Sequence, residues 1–137
     1  MGMDSKYDLE ERLLDYSADI IRLTEGMDKT RAGNHVAGQL LRSGTSPLFN
    51  HGEASAAESA RDFVHKMGVC LKELRETRRA LRLTQKVPLA RPPSTVDPLI
   101  KETEELIKIF FSSIRTAEKK VLREAPPQTY PADSEST

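Results

Sequence analysis

Apolar residues recur at alternating intervals of three and four along most of this 137-residue chain, the spacing that places them on one side of an α-helix. Four such segments occur, at about residues 8–27, 30–54, 56–86 and 98–124. No stretch alternates apolar and polar residues as a half-buried strand does. Four amphipathic helices of this length predict an all-α fold, an antiparallel up-down four-helix bundle that spans residues 8–124.

Prolines and capping residues mark where the predicted helices bend, begin and end. Pro47 lies inside the second segment, and because an internal proline removes a backbone hydrogen bond, we expect a kink there. Ser55 and Glu58 form a capping-box pattern before the third helix. Three prolines among residues 88–93 predict a connector without regular structure. Residues 1–7 are predicted to be a flexible N-terminus, and residues 125–137, which lack periodicity, a disordered tail.

Composition and charge narrow the function classes. The chain contains 21 basic and 21 acidic residues, so its net charge of zero does not indicate a globally basic nucleic-acid-binding protein. A single cysteine, Cys70, excludes an internal disulfide framework and fits a reducing compartment. No apolar run approaches the roughly 18 residues of a membrane span, and no signal peptide is evident. These features predict a soluble, cytoplasmic protein without a membrane partner.

Charge is distributed unevenly along the chain. Between Arg61 and Arg91, nine basic and three acidic residues give a local charge of +6. Over the first 28 positions, eight acidic and three basic residues give −5. The spacing of Arg75, Arg79, Arg82 and Lys86 predicts a basic stripe on the third helix. The predicted residues for binding nucleic acid or an acidic partner are Arg75, Arg78, Arg79, Arg82 and Lys86.

Three interpretations of this asymmetry remain open. The cations complement the dipole at the helix C-terminus and keep the surface solvated. Alternatively, the acidic first helix pairs with the basic third helix, within or between protomers, or the stripe binds phosphate groups. No aromatic residue lies within the stripe, so any nucleic-acid binding is expected to be directed at the backbone and insensitive to sequence.

Candidate chemistry is sparse. The stretch around Gly44 has the small residues of a phosphate-binding loop, but no strand precedes it, and we interpret Gly44 as a close-packing position in a kinked helix. His35, His51 and His65 share no metal-ligand spacing, and nothing near Cys70 in the sequence would activate a thiol. We therefore predict no catalytic residues, no metal site, no cofactor and no enzymatic activity.

The apolar faces of the first and fourth segments are wider than a single row. Leu14 and Ile21 lie beside the main row of the first segment and widen its face. In the fourth segment a second row lies beside the main one and comprises Ile100, Ile107, Phe111 and Ile114. Both rows could be buried within one bundle, or the second row could form a contact between protomers, because exposed apolar area usually marks an interface.

Several motifs of the second and third segments resemble a known family. They are Gln39–Ser46, Asn50, Glu53–Ala54, Glu58–Lys66, Leu71–Glu73 and Glu76–Thr77. They are similar to those of bacterial four-helix-bundle proteins encoded by intervening sequences in 23S rRNA genes, a family that includes the accessory variability protein of diversity-generating retroelements. Where the family usually has Ser, then Ile or Val, then Gly-Ala-Asn, this chain has Ser46–Asn50 with Pro47, Leu48 and Phe49 between them.

The resemblance implies an up-down bundle that associates, commonly as a ring of five protomers. It also implies that retroelement members bind nucleic acid and a reverse transcriptase, whereas most other members have no assigned activity. With the resemblance, the second row of the fourth helix is predicted to be the oligomer interface. We predict a non-enzymatic, self-associating helical-bundle scaffold or adaptor; the alternative is a sequence-nonspecific nucleic-acid-binding accessory factor that acts through the basic third helix.

Overall fold

The computed structural model describes residues 5–124, with side chains from residue 9 onward. This part of the chain contains four long helices and no strand: α1 (Ser5–Glu25), α2 (Arg31–Ser55), α3 (Ala60–Lys86) and α4 (Asp97–Glu124), with a short 3-10 helix (Pro93–Val96) before α4. The all-α fold class is therefore confirmed, and the packing is consistent with a four-helix bundle.

The structure differs from the sequence prediction at the start of α1, at the start of α3 and in the connector before α4. α1 begins at Ser5, so residues 5–7 are helical; residues 1–4 and the predicted tail, 125–137, lie outside the described residues. Ser55 ends α2, and α3 begins at Ala60 because the Ser59 hydroxyl accepts a hydrogen bond from the Asp62 N–H at 3.1 Å. The proline-rich connector contains a turn of 3-10 helix, which accepts proline in its first turn.

The core is formed by the apolar faces of all four helices. Its largest fully buried side chains include Leu13, Tyr16, Ile20, Leu40, Met67, Leu74, Leu81, Leu106 and Phe110. α2 packs against α1 and α3, and α4 packs against α3 and α1. Each helix therefore has two neighbours, and α1 and α3 occupy diagonal positions.

The stretch around Gly44 is helical, and Gly44 is a close-packing position, as predicted. A Cβ atom added to Gly44 would lie 2.8 Å from the Cγ2 atom of Ile20, so the missing side chain lets α1 approach α2. Pro47 lies inside α2, which continues to Ser55 without interruption. Pro47 therefore does not end the helix.

A layer of buried hydroxyl groups crosses the middle of the core, with one residue from each helix. The Tyr16 hydroxyl lies 2.6 Å from Thr103 Oγ1, and the Thr77 hydroxyl lies 2.8 Å from the Ser43 hydroxyl. Thr77 also interacts with the Tyr16 hydroxyl, and burial raises the pKa of Tyr16 above its ordinary value. Because buried hydroxyl groups need hydrogen-bond partners, this layer places these four residues at the same level of the molecule.

Candidate interaction surfaces

The predicted basic stripe lies on the solvent side of α3. Arg75, Arg79, Arg82 and Lys86 are exposed, whereas Arg78 is half-buried. Within the described residues, none of these five side chains forms an ion pair or a side-chain hydrogen bond. The structure therefore brings four of the five predicted cations together on one exposed surface.

The acidic residues of α3 are turned away from this surface. Glu73 and Glu76 lie 3.5 and 3.6 Å from the Arg42 guanidinium of α2, and Asp62 pairs with Lys66 at 2.8 Å. All three acids are half-buried. The exposed Lys and Arg side chains of α3 are Arg61, Lys72, Arg75, Arg79, Arg82 and Lys86, and we call this surface the basic face.

α1 carries the opposite charge on its solvent side. Its exposed acidic residues are Glu10, Glu11, Asp15, Asp19 and Glu25, and we call this surface the acidic face. Among residues 9–25, Arg22 is the single exposed cation, and it pairs with Asp19 at 3.0 Å. The other basic residue of this stretch, Arg12, binds Glu102 of α4 at 2.7 Å.

The acidic and basic faces point in different directions because α1 and α3 are diagonal. No ion pair among the described residues joins α1 to α3. Pairing of these two helices within one chain, one of the interpretations left open by the sequence, is therefore not seen. Both faces are available to partners.

The second apolar row of α4 is divided between core and surface. Ile100, Ile107 and Ile114 are partly buried against the core of their own chain. Phe111 is 46% exposed, with the Arg115 guanidinium 5.7 Å from its ring centroid. Of the predicted interface residues, Phe111 has the largest surface left for a partner.

Other exposed apolar side chains were not predicted from the sequence. Leu14 and Ile21, which widen the apolar face of α1 in the sequence, are exposed because they lie beyond the part of α1 that its neighbours cover. Phe49 of α2 is 68% exposed and Leu122 of α4 is 78% exposed. Both residues lie off the main apolar rows of their helices, and this position was the feature of the sequence that could have predicted their exposure.

The groups with potential for chemistry are separated or buried. The Cys70 thiol is buried and donates to the Pro47 carbonyl at 3.7 Å, and burial raises its pKa to about 12. His51 packs edge-on against Phe110, with ring centroids 6.0 Å apart, whereas His35 and His65 are exposed. Within the described residues, no three His, Cys, Asp or Glu side chains lie together as a metal site would require.

The membrane prediction can be compared with the helices directly. None of the described helices combines the length and apolar character that crossing a membrane would require.

The motifs that carry the family resemblance meet at the seam between α2 and α3. Arg42 reaches Glu73 and Glu76, and Ser43 bonds Thr77. These residues therefore connect two helices of the fold.

Comparisons with known proteins agree with this arrangement. The model of the 23S rRNA-intervening sequence protein family matches residues 6–112. A crystal structure of a protein of unknown function from the S23 ribosomal protein family, from Bacteroides thetaiotaomicron VPI-5482, is similar with a TM-score of 0.69 and 28% sequence identity. That match covers 77% of this chain and 96% of the other. No curated protein matches the chain significantly. The chain belongs to the 23S rRNA-intervening sequence protein family.

Proposed function

We propose that this protein is a non-enzymatic, self-associating helical-bundle scaffold or adaptor that acts in the cytoplasm. The observation that carries the proposal is the set of large apolar side chains left on the surface, above all Phe49, Phe111 and Leu122. Removing one such side chain from water contributes roughly 1.5–3 kcal/mol. Association with further copies is the simplest way to gain this stabilisation.

The state of the reactive groups supports a role without catalysis. A nucleophilic cysteine needs an accessible thiolate, whereas the Cys70 thiol is buried and remains protonated at neutral pH because burial raises its pKa to about 12. The buried His51 ring packs against the aromatic ring of Phe110. These side chains are built into the core.

We also infer that the helices run antiparallel and that α2 bends at Pro47. On α1 and α2, Glu10 meets His51 and Ile20 meets Gly44, so residue numbers rise on one helix as they fall on the other. Ser43 with Thr77, and Pro47 with Cys70, follow the same rule for α2 and α3. The bend follows from the N–H group that Pro47 lacks.

Self-association is tested by the molar mass in solution, measured by sedimentation equilibrium. The chain has a mass of 15.3 kDa, and we expect a ring of five copies, about 77 kDa, as the resemblance implies. Phe111→Ser is expected to weaken the association, because it removes the exposed apolar part of the second row of α4. Lys108→Ser, an exposed change on the same helix, is the matched control. If the wild-type protein is still monomeric at 100 µM, the highest protein concentration in the experiment, the proposal is contradicted.

The alternative function, sequence-nonspecific nucleic-acid binding, is favoured by one observation: the exposed Lys and Arg side chains on α3 are not accompanied by exposed acids. A surface of this kind attracts phosphates, and its affinity falls steeply as salt rises. Binding of a labelled RNA duplex is measured by fluorescence anisotropy at increasing salt. If the alternative holds, Arg75→Glu, Arg79→Glu and Arg82→Glu together abolish binding.

The matched control for this alternative changes charge equally on another helix. Lys101, Lys108 and Lys119 of α4 are exposed, and replacing all three with Glu should leave most of the binding intact. Absence of any binding by the wild type at low salt would exclude the alternative.

A further inference from the structure

We propose that the acidic face of α1 in one copy docks on the basic face of α3 in a second copy that has the same orientation. The proposal rests on the proposed self-association and adds to it a second contact, separate from the exposed apolar side chains of α2 and α4. Its starting point is that one chain carries two complementary surfaces that cannot reach each other, because α1 and α3 are diagonal in the bundle.

The charges on the two faces are available to a partner. Within the described residues, Glu11, Asp15 and Glu25 on α1 form no ion pair, and neither do Lys72, Arg75, Arg79, Arg82 and Lys86 on α3. Asp19 pairs only with its neighbour Arg22, an exposed contact within one helix. Opposite charges on two faces of a chain steer copies together and suppress contacts between like faces.

The two faces also match in register. Because the hydroxyl groups of Tyr16 and Thr77 interact in the core, a residue of α1 lies level with the residue about 61 positions later in α3. With antiparallel neighbours, α1 and α3 run in the same direction, so this offset applies along their length. Level positions therefore bring Glu11 to Lys72, Asp15 to Arg75, Asp19 to Arg79 and Glu25 to Lys86, each within about one residue.

The acidic and basic faces also agree in the length of helix that their charges cover. Glu11 to Glu25 and Lys72 to Lys86 each span about 21 Å at 1.5 Å per residue. Two copies placed side by side without a shift along the helix axis would thus align four opposite-charge pairs over the same distance. A shift of one helical turn in either direction would align three such pairs, so the unshifted arrangement aligns the most.

Exposed apolar side chains accompany the charges on both faces. Leu14 and Ile21 lie among the acids of α1, and Leu83 lies among the cations of α3. Ile21 is nearly level with Leu83 under the same offset. Because exposed ion pairs alone contribute little, these apolar groups supply the buried area, and the ion pairs select the partner and the register.

This contact joins two different surfaces, so it is heterologous, and a pair of copies retains one free acidic face and one free basic face. Such contacts repeat until they close into a ring or continue as a filament. The contact also covers the basic face. Docking of a second copy and nucleic-acid binding through α3 therefore exclude each other at the same surface.

Charge-reversal variants of the full chain test the proposal. In the first variant, Glu11→Lys and Asp15→Lys make α1 basic. In the second, Lys72→Glu and Arg75→Glu place two acids on the part of the basic face that lies level with Glu11 and Asp15. We expect each variant alone to weaken association at least ~100-fold, because like charges then face each other, and a mixture of the two variants to associate again, because each supplies the face that the other needs.

Lys101→Glu with Lys119→Glu on α4 has the same net charge change as the second variant and is expected to leave the mass unchanged. Molar mass is measured by sedimentation at low and high salt, and circular dichroism verifies helix content. If both reversal variants associate as strongly as the wild type, this proposal is overturned but self-association stands. A wild-type protein that is monomeric overturns both. Failure of the mixture to associate, or loss of RNA binding in the second variant at unchanged mass, also overturns it.

Discussion

Replacing Phe110 with alanine is expected to lower the free energy of unfolding by about 3–5 kcal/mol, because the change removes a fully buried ring and leaves a cavity. The ring fills the core at α4 and also supports the buried His51 side chain, whose centroid lies 6.0 Å away. Since domains of this size have a total stability of about 5–15 kcal/mol, a large part of the stability would be lost. Urea unfolding followed by circular dichroism gives the value.

The next residue along the chain is the matched control. Phe111 is half-exposed, so Phe111→Ala should cost less than about 1 kcal/mol, as most surface changes do. Both variants are compared at one protein concentration, because association adds to apparent stability. Similar losses for the two phenylalanines would contradict the division of α4 into buried and exposed rows.

Replacing Gly44 with valine is expected to destabilise the protein by about 1–3 kcal/mol through overpacking. Even a Cβ atom at this position would lie 2.8 Å from the Cγ2 atom of Ile20 and 2.9 Å from its Cγ1 atom, closer than van der Waals contact allows. α1 would have to move away from α2. Thermal unfolding of the variant and the wild type in the same buffer measures the loss of stability.

A glycine on the same helix separates this packing effect from helix propensity. A Cβ atom at Gly38 meets nothing within 4 Å, so Gly38→Val should be neutral or slightly stabilising, because valine favours a helix more than glycine does. In the Gly44→Val background, Ile20→Ala should cost less than it does alone, since it makes room for the new side chain. Equal effects at Gly38 and Gly44 would argue against a close approach at Gly44.

The four helices and the family were accessible from the sequence, and the physical reason is that both depend on local patterns. A helix repeats every 3.6 residues, so a run such as Leu9, Leu13, Tyr16 and Ile20 indicates a helix whatever lies against it. The family match to residues 6–112 confirms the resemblance drawn from the motifs of the second and third helices. Boundaries were less secure because Ser55 and Ser59 both offer a capping hydroxyl, and in the structure Ser55 belongs to α2 while Ser59 caps α3.

The surfaces were decided by the tertiary structure, because the exposure of a side chain depends on residues far away in the chain. Glu73 and Glu76 interrupt the basic segment in the sequence, but Arg42 of α2 pairs with both and leaves a basic face. Leu14 widens the apolar face of α1 in the sequence, but the neighbours of α1 leave it exposed. The sequence determined that the chain has acidic and basic helices; only the packing placed them on the diagonal, where their charges must be satisfied by solvent or by another molecule.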